Sequence, residues 1–80
     1  MANPPPREKQ IDQFEAIDDA GNLYTVIEWQ RVAFMRDVRG ILHAVDGTKR
    51  LALSTGEHVN PREDGSFQIF ETETIIRKVG

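Results

Sequence analysis

Short segments in which apolar and polar residues alternate follow one another along the chain, with turn-forming residues between them. Residues 23–29 are rich in β-branched and aromatic side chains, which favours a strand. Residues 11–17 alternate more loosely, and the cluster Asp-Asp-Ala-Gly-Asn at residues 18–22 is suited to a turn. The two segments therefore predict a hairpin of antiparallel strands.

The rest of the chain also consists of short predicted strands separated by turn-forming residues. Further strands are predicted at residues 41–45, 49–54, 57–60, 66–71 and 75–79. Asp46-Gly47 is typical of a two-residue hairpin turn, and Thr55-Gly56 and Asp64-Gly65 predict two more turns.

The spacing of these turn signals indicates the fold class. They recur every eight to twelve residues or so, which is typical of a small sandwich or barrel. The connections are too short for parallel crossovers, so the sheet is expected to be antiparallel. We predict a mostly β fold: a small, strongly bent antiparallel sheet or partly open barrel, SH3-like in the loose sense, with five to seven short strands. Bending of this kind reduces the open edges that a flat sheet leaves.

The segment at residues 30–40 is ambiguous. Val32, Met35 and Val38 recur at a spacing of three, which suits a short helix or an irregular loop. The preceding strand can also simply continue. We favour a strand that runs on to about Phe34, followed by a loop that ends at Gly40.

The length of 80 residues fits one domain. Pro4, Pro5 and Pro6 lack backbone N–H donors and favour an extended conformation. We therefore predict a flexible, proline-rich tail at residues 1–10 and a single β domain at residues 11–80.

The amino-acid composition limits the kinds of binding and catalytic site that the chain can form. The chain has no cysteine, which excludes disulfides and thiolate zinc sites. His43 and His58 lack the close spacing of a metal-binding motif, and the six glycines are scattered singly rather than grouped in a phosphate-binding loop. Ser54 and Thr55 lie near His58 in sequence, but a catalytic triad needs tertiary geometry and a pocket. We expect no catalytic residues, no metal, no cofactor and no enzymatic activity.

Charge bears on the choice of partner. The net charge is −3, which argues against a protein that coats nucleic acid, although residues 23–50 carry five basic and three acidic side chains. No apolar run approaches the roughly 18 residues of a spanning helix. The N-terminus also lacks the apolar stretch of a secretory signal. No membrane association and a cytoplasmic location are therefore expected.

Large apolar side chains on both faces of the predicted strand at residues 23–29 cannot all enter one core. Tyr24 and Trp29 fall in opposite phases of the alternation, and Phe70 is out of phase with Phe67. Either a closed barrel with the following segment folded over it covers them, or they remain near the surface as anchors for a partner. The candidate interaction surface comprises Trp29, Arg31, Phe34, Met35, Arg36, Arg39 and Phe70.

This surface leads to two functional hypotheses. The first is a small non-enzymatic protein-interaction domain that binds a protein partner or forms a homodimer. The alternative is a nucleic-acid-binding regulator that uses residues 29–39. Its arginines would contact phosphates while Trp29 and Phe34 stack on bases. The acidic balance and the absence of an RNA-binding signature favour the first hypothesis.

A run of short motifs covers about residues 48–79. It reads Leu51-Ala-Leu53, Gly56-Glu-His-Val59-Asn60, Asp64-Gly65-Ser-Phe67-Gln-Ile69, Thr72 and Ile76-Arg77. This run resembles a group of short bacterial proteins, from proteobacteria, in which a strand, a Gly-x-x-Val-Asn turn, an Asp-Gly-x-Phe-x-Ile hairpin and a terminal strand follow one another. The resemblance implies a β fold for this half of the chain and no particular activity.

Overall fold

The computed structural model describes residues 4–80, which form six antiparallel strands. They are β1 (Arg7–Asp18), β2 (Leu23–Arg36), β3 (Leu42–Leu53), β4 (His58–Pro61), β5 (Phe67–Ile69) and β6 (Ile75–Lys78). Each strand pairs with the next, and β6 pairs with β1 to close a barrel. The predicted small antiparallel β fold is confirmed. Within this part of the chain no helix is long and apolar enough to cross a membrane.

The core of the barrel is small and is shared by all six strands. Each strand contributes one residue to the buried apolar cluster, in chain order Ala16, Val26, Leu53, Val59, Ile69 and Ile76. Phe14, Tyr24, Leu51 and Phe67 pack against this cluster while remaining partly exposed. The pairing of β6 with β1 places Ile76 in this cluster and so completes the core. Burial of apolar residues is the main favourable term in folding.

Unequal strand lengths give the molecule its elongated shape. The first three strands have 12, 14 and 12 residues, whereas the last three have 4, 3 and 4. The short strands cover only one end of the long ones, so the other end projects as a separate feature, which we call the arm (residues 29–50, flanked at its base by residues 7–10). The molecule consequently measures 56 × 20 × 18 Å.

The far end of the arm has only two strands. The last paired residue of β1 is Arg7, which lies opposite Val32. Beyond that pair only β2 and β3 continue, paired from Ala33 and Val45 to Arg36 and Leu42. We call this two-stranded part, residues 33–45, the arm tip.

A bulge interrupts β3 where a hairpin turn is predicted. Gly47 and Thr48 together lie opposite Arg31, so that β3 continues through Asp46-Gly47 as one strand. The prediction of a turn at Asp46-Gly47 is therefore wrong. The same flexible pair that suits a turn also suits a bulge, and the continuous pairing with β2 on both sides decides between them. The buried Gln30 side chain holds the bulge, because its Nε2 donates a hydrogen bond to the Gly47 carbonyl oxygen at 2.6 Å.

The end of β2 and the start of β1 also differ from prediction. Residues 30–36 are strand, as favoured, but the strand ends at Arg36 rather than Phe34, so a helical turn is excluded there. Residues 7–10, assigned to the flexible tail, belong to β1. Residues 4–6 have no regular secondary structure, and residues 1–3 of the predicted tail lie outside the described residues.

Candidate protein-interaction surface

Strand register divides the predicted surface between two faces of the arm. Since alternate residues of a strand point to opposite faces, β2 sends Trp29, Arg31 and Met35 to one side and Phe34 and Arg36 to the other. The second side continues the interior of the barrel, and we call it the inner face; the first is the outer face. The arm therefore brings these five predicted residues onto one projection but not onto one surface.

The arm tip concentrates exposed apolar residues. Ten large hydrophobic residues are exposed among residues 4–80, and half of them lie between residues 35 and 45. These five are Met35, Val38, Ile41, Leu42 and Val45. Val38 is fully exposed and Met35 is 56% exposed. A cluster of this kind marks an interaction site more often than isolated apolar residues do.

A hydrogen-bonded turn orders the end of the arm. The Asp37 carboxylate accepts hydrogen bonds from the N–H groups of Arg39 at 2.8 Å and Ile41 at 3.0 Å, and its other oxygen lies 2.9 Å from His43 Nε2. The hydrogen bond with His43 holds the pKa of the Asp37 carboxyl below its usual value, and the two N–H groups act in the same direction. Arg36 adds a hydrogen bond to the Gly40 carbonyl oxygen at 2.9 Å. Val38 and Arg39 are thus presented at the apex by an ordered turn.

An ion pair spans the outer face at the base of the arm. Arg50 on β3 reaches across β2 to Glu8 on β1, with Nε–Oε2 and Nη2–Oε1 distances of 2.6 and 2.8 Å. Arg50 lies beside Trp29 in the register, and its hydrogen bond lowers the pKa of Glu8. Among residues 4–80, Arg31 and Arg39 form no ion pair. The arm therefore has basic side chains that form ion pairs and basic side chains that do not.

Phe70 does not belong to the arm. It follows β5 on the barrel, is 65% exposed, and contacts the ring of His58 edge-on, with ring centroids 6.4 Å apart. The sequence places it among candidates because of its phase, which correctly predicts that it is outside the core. Phase alone carries no information on which exposed residues are neighbours, so the structure separates Phe70 from the other six.

A groove at the mouth of the barrel is a feature that the sequence reasoning missed. It has a volume of about 570 Å³ and lies where the long strands leave the barrel. Phe14 and Phe67 form its floor with ring centroids 5.2 Å apart, and Lys78 Nζ lies 5.2 Å from the Phe14 centroid. Asp12 and Glu28 lie directly opposite each other on its wall. Closure of the barrel by β1 and β6 brings Phe14 beside Phe67 and Lys78, and no local pattern in the sequence indicates these contacts.

The residues considered for catalysis and metal binding lie apart. His43 is at the arm tip with Asp37, whereas His58 is on β4 with its Nε2 3.0 Å from the Asn60 side-chain oxygen. The Thr55 hydroxyl donates to Glu57 rather than to a histidine, and this hydrogen bond lowers the pKa of Glu57. No three histidine or carboxylate side chains converge on a common point in the described part of the chain.

Comparison of the chain with protein-family models, with curated proteins and with solved structures finds no match. The resemblance of residues 48–79 to short proteobacterial proteins therefore stays a prediction. What the molecule does has to be argued from its own surfaces, and the arm is the part that the packing of the barrel does not explain.

Proposed function

We propose that this protein is a non-enzymatic protein-interaction domain that associates with a second copy of itself through the arm tip. The observation that carries the proposal is a two-stranded ribbon, residues 33–45, that lies outside the barrel and has exposed apolar residues on both faces. The barrel core includes no residue of this ribbon. The arm therefore contributes nothing to the core and is explained by contacts that it makes with another molecule.

Stability supports this reading of the arm. An isolated two-stranded hairpin is at best marginally stable in water, and three or more strands with a covered apolar face are needed for an independent sheet. The arm tip lacks both the third strand and the cover. A partner that supplies them would remove apolar surface from water at a gain of about 25 cal/mol per Å².

A second copy is the partner that fits the charges best. Residues 7–13 and 29–50 carry seven basic and four acidic side chains, whereas residues 14–28 and 51–80 carry three basic and nine acidic ones. Two acidic barrels repel each other, so copies that meet at their arm tips with the barrels pointing apart minimise the repulsion. The arm tip itself carries only Arg36, Asp37 and Arg39, together with His43, which leaves an apolar contact nearly free of charge.

Sedimentation velocity at concentrations from micromolar to hundreds of micromolar tests the proposal. We expect a reversible shift from monomer to dimer as the concentration rises. Replacing Met35 and Val45 by serine should raise the dissociation constant at least about tenfold, which corresponds to about 1.4 kcal/mol. The matched control is Leu23→Ser, which changes a residue of the barrel that is 66% exposed and should leave the dimer intact. A monomer at every concentration refutes self-association.

A second candidate function is binding of single-stranded nucleic acid on the outer face. The uneven distribution of basic residues favours it, since seven of the ten lie on the arm side. Titration with labelled oligonucleotides at low salt should then show binding that weakens linearly with the logarithm of salt concentration. Arg31→Ala should weaken it, and Arg62→Ala on the barrel should not. No binding at low salt excludes this function.

A further inference from the structure

The open strand edges of the molecule are protected unequally. The edge of β1 over residues 7–10 carries three charged side chains and follows Pro4–Pro6, and the edge of β3 over residues 46–50 has a bulge and two basic residues. Charges, prolines and bulges are the usual means of blocking edge-to-edge pairing. Next to this bulge on the same edge of β3, residues 42–45 read Leu-His-Ala-Val and have none of these features. On the other edge of the arm tip, residues 33–36 of β2 are also unpaired, but that stretch includes the charged Arg36, so residues 42–45 are the stretch without such protection.

Hydrogen-bond alternation shows which backbone groups this stretch offers. The Asp37 N–H donates to the Ile41 carbonyl oxygen at 3.0 Å, so these two residues form the last hydrogen-bonded pair of the β2–β3 ladder. In antiparallel sheets such pairs alternate with non-bonded ones, which makes Met35–His43 a bonded pair and leaves the N–H and C=O groups of Leu42 and Ala44 directed away from β2. No strand within residues 4–80 pairs with that side of Leu42 or Ala44.

We propose that residues 41–45, at the start of β3, pair antiparallel with the same residues of a second copy, around a two-fold axis at His43. This inference rests on the proposed function and specifies how the two arms join. The pairing turns two two-stranded arm tips into one four-stranded sheet, β2–β3–β3–β2. It also satisfies the free groups of Leu42 and Ala44, because both face the partner strand.

The side chains favour an axis at His43. That register sets Leu42 opposite the second copy's Ala44, and Ile41 opposite its Val45, so apolar residues meet across the new strand pair. It also brings Asp46 opposite the turn of the other copy, next to Arg39. An axis shifted by one residue to Ala44 would instead set Leu42 opposite Asp46, which places a carboxylate against an apolar side chain.

The arrangement is compatible with the shape and charge of the molecule. Antiparallel pairing at the tip of a 56 Å molecule sends the two barrels in opposite directions, so they do not meet. The contact is isologous, meaning that the same surface is used on both copies, and it therefore closes at a dimer instead of growing into a fibre.

Cysteine cross-linking distinguishes edge pairing from packing of one arm face on another. The chain has no cysteine, so a single introduced thiol reports on one position. His43→Cys should form a disulfide dimer under mild oxidation, because residues opposite each other in a non-bonded pair have Cα atoms about 4.5 Å apart. Met35→Cys is the matched control: Met35 is paired with His43 but lies one strand farther from the axis. Across an edge-paired sheet its two copies are about 14 Å apart and should not cross-link.

A second variant tests the backbone groups themselves. Ala44→Pro removes an N–H that points away from β2, so the β2–β3 ladder is retained while the new strand pair loses a hydrogen bond. In sedimentation velocity the dissociation constant should rise at least about tenfold, equivalent to about 1.4 kcal/mol. Dimerisation of Ala44→Pro as tight as that of the unmodified chain overturns the edge pairing.

The outcomes separate the two proposals. Cross-linking of His43→Cys but not of Met35→Cys supports edge pairing. If a dimer forms and Met35→Cys cross-links while His43→Cys does not, the arms pack face to face, so self-association holds and edge pairing fails. If the unmodified chain is monomeric at all concentrations, both proposals fail together.

Discussion

At the scale of single residues, a few side chains and backbone angles stabilise the fold in ways that the alternation of apolar and polar residues does not predict. Gln30 falls in phase with core positions of β2, yet it is polar and 5% exposed. Its role becomes clear only when the bulge in β3 places the Gly47 carbonyl oxygen within reach. The alternation of apolar and polar residues predicts which residues share a face of the strand, but a buried amide at a bulge depends on the partner strand.

Replacing Gln30 by methionine tests this role. Methionine has a similar length but no N–H, so the hydrogen bond from Gln30 to the Gly47 carbonyl oxygen is lost. Because Gly47 is exposed and water can replace the donor, the expected cost is that of an ordinary intramolecular hydrogen bond, about 0.5–1.5 kcal/mol. Urea unfolding monitored by tryptophan fluorescence should show a loss of free energy of unfolding in that range. Gln13→Met, at an exposed position of β1, should change it by less than about 0.5 kcal/mol. Equal effects of the two substitutions would contradict the role assigned to Gln30.

Glu73 is the one non-glycine residue among those described that adopts a left-handed backbone conformation, with a φ of 58°. The turn between β5 and β6 requires it, because the Glu73 N–H donates to the Ile69 carbonyl oxygen at 2.8 Å. A left-handed conformation costs an L-residue about 1–2 kcal/mol, and glycine avoids this while losing about 0.5–1 kcal/mol in chain entropy.

We therefore expect Glu73→Gly to stabilise the protein by about 0.5–1 kcal/mol and to raise the Tm by about 2–8 °C. Thermal unfolding followed by circular dichroism measures the shift. Glu71→Gly, in the same turn but without a left-handed φ, should lower the Tm instead. A decrease for Glu73→Gly would show that the turn relaxes on substitution.

At the scale of elements, the strands of the barrel are predictable and the arm is not. Turns at Gly21, Gly56 and Gly65 occur where the sequence predicts them, because their residues suit a positive φ in any context. Asp46-Gly47 gives an equally strong local signal and yet lies inside β3. The difference is that β2 continues beside it and supplies hydrogen bonds on both sides of the bulge. Strand length thus depends on pairing partners, which local patterns do not contain.

The turn of the arm should respond to pH as an element of its own. The pKa of Asp37 is lowered mainly by its hydrogen bond with His43. The charged form of the carboxyl group is therefore more stable in the folded state than in the unfolded chain. Its contribution to stability is complete above the unfolded pKa of about 3.9 and is lost as the pH falls through the lower folded value. The N–H groups of Arg39 and Ile41 then lose their acceptor.

NMR chemical shifts of the Arg39 and Ile41 amides should therefore be constant down to about pH 4 and change together below it. The Asp37→Asn variant, which has no titrating carboxyl at this position, should remove the transition. Transitions of the two amides at or above the ordinary aspartate pKa would contradict the hydrogen-bonded turn.

At the scale of the whole molecule, the barrel and the arm are held together by different interactions. The core takes one residue from each of six strands and lies entirely outside residues 33–45. The arm tip is attached only through the continuation of β2 and β3. Removing the tip should therefore leave the barrel folded, whereas it should abolish any association that depends on the arm.

Replacing residues 34–44 by Asn-Gly joins Ala33 to Val45 through a two-residue hairpin turn, which suits this pair because it is hydrogen-bonded. We expect a folded monomer with a Tm that is independent of protein concentration. For the unmodified chain the Tm should rise with concentration, because dimerisation stabilises the folded state by mass action. Differential scanning calorimetry at two concentrations tenfold apart measures both. An unfolded variant would mean that the barrel needs the arm. A variant whose Tm still rises with concentration would place the self-association site on the barrel, where Phe70 and the groove are exposed.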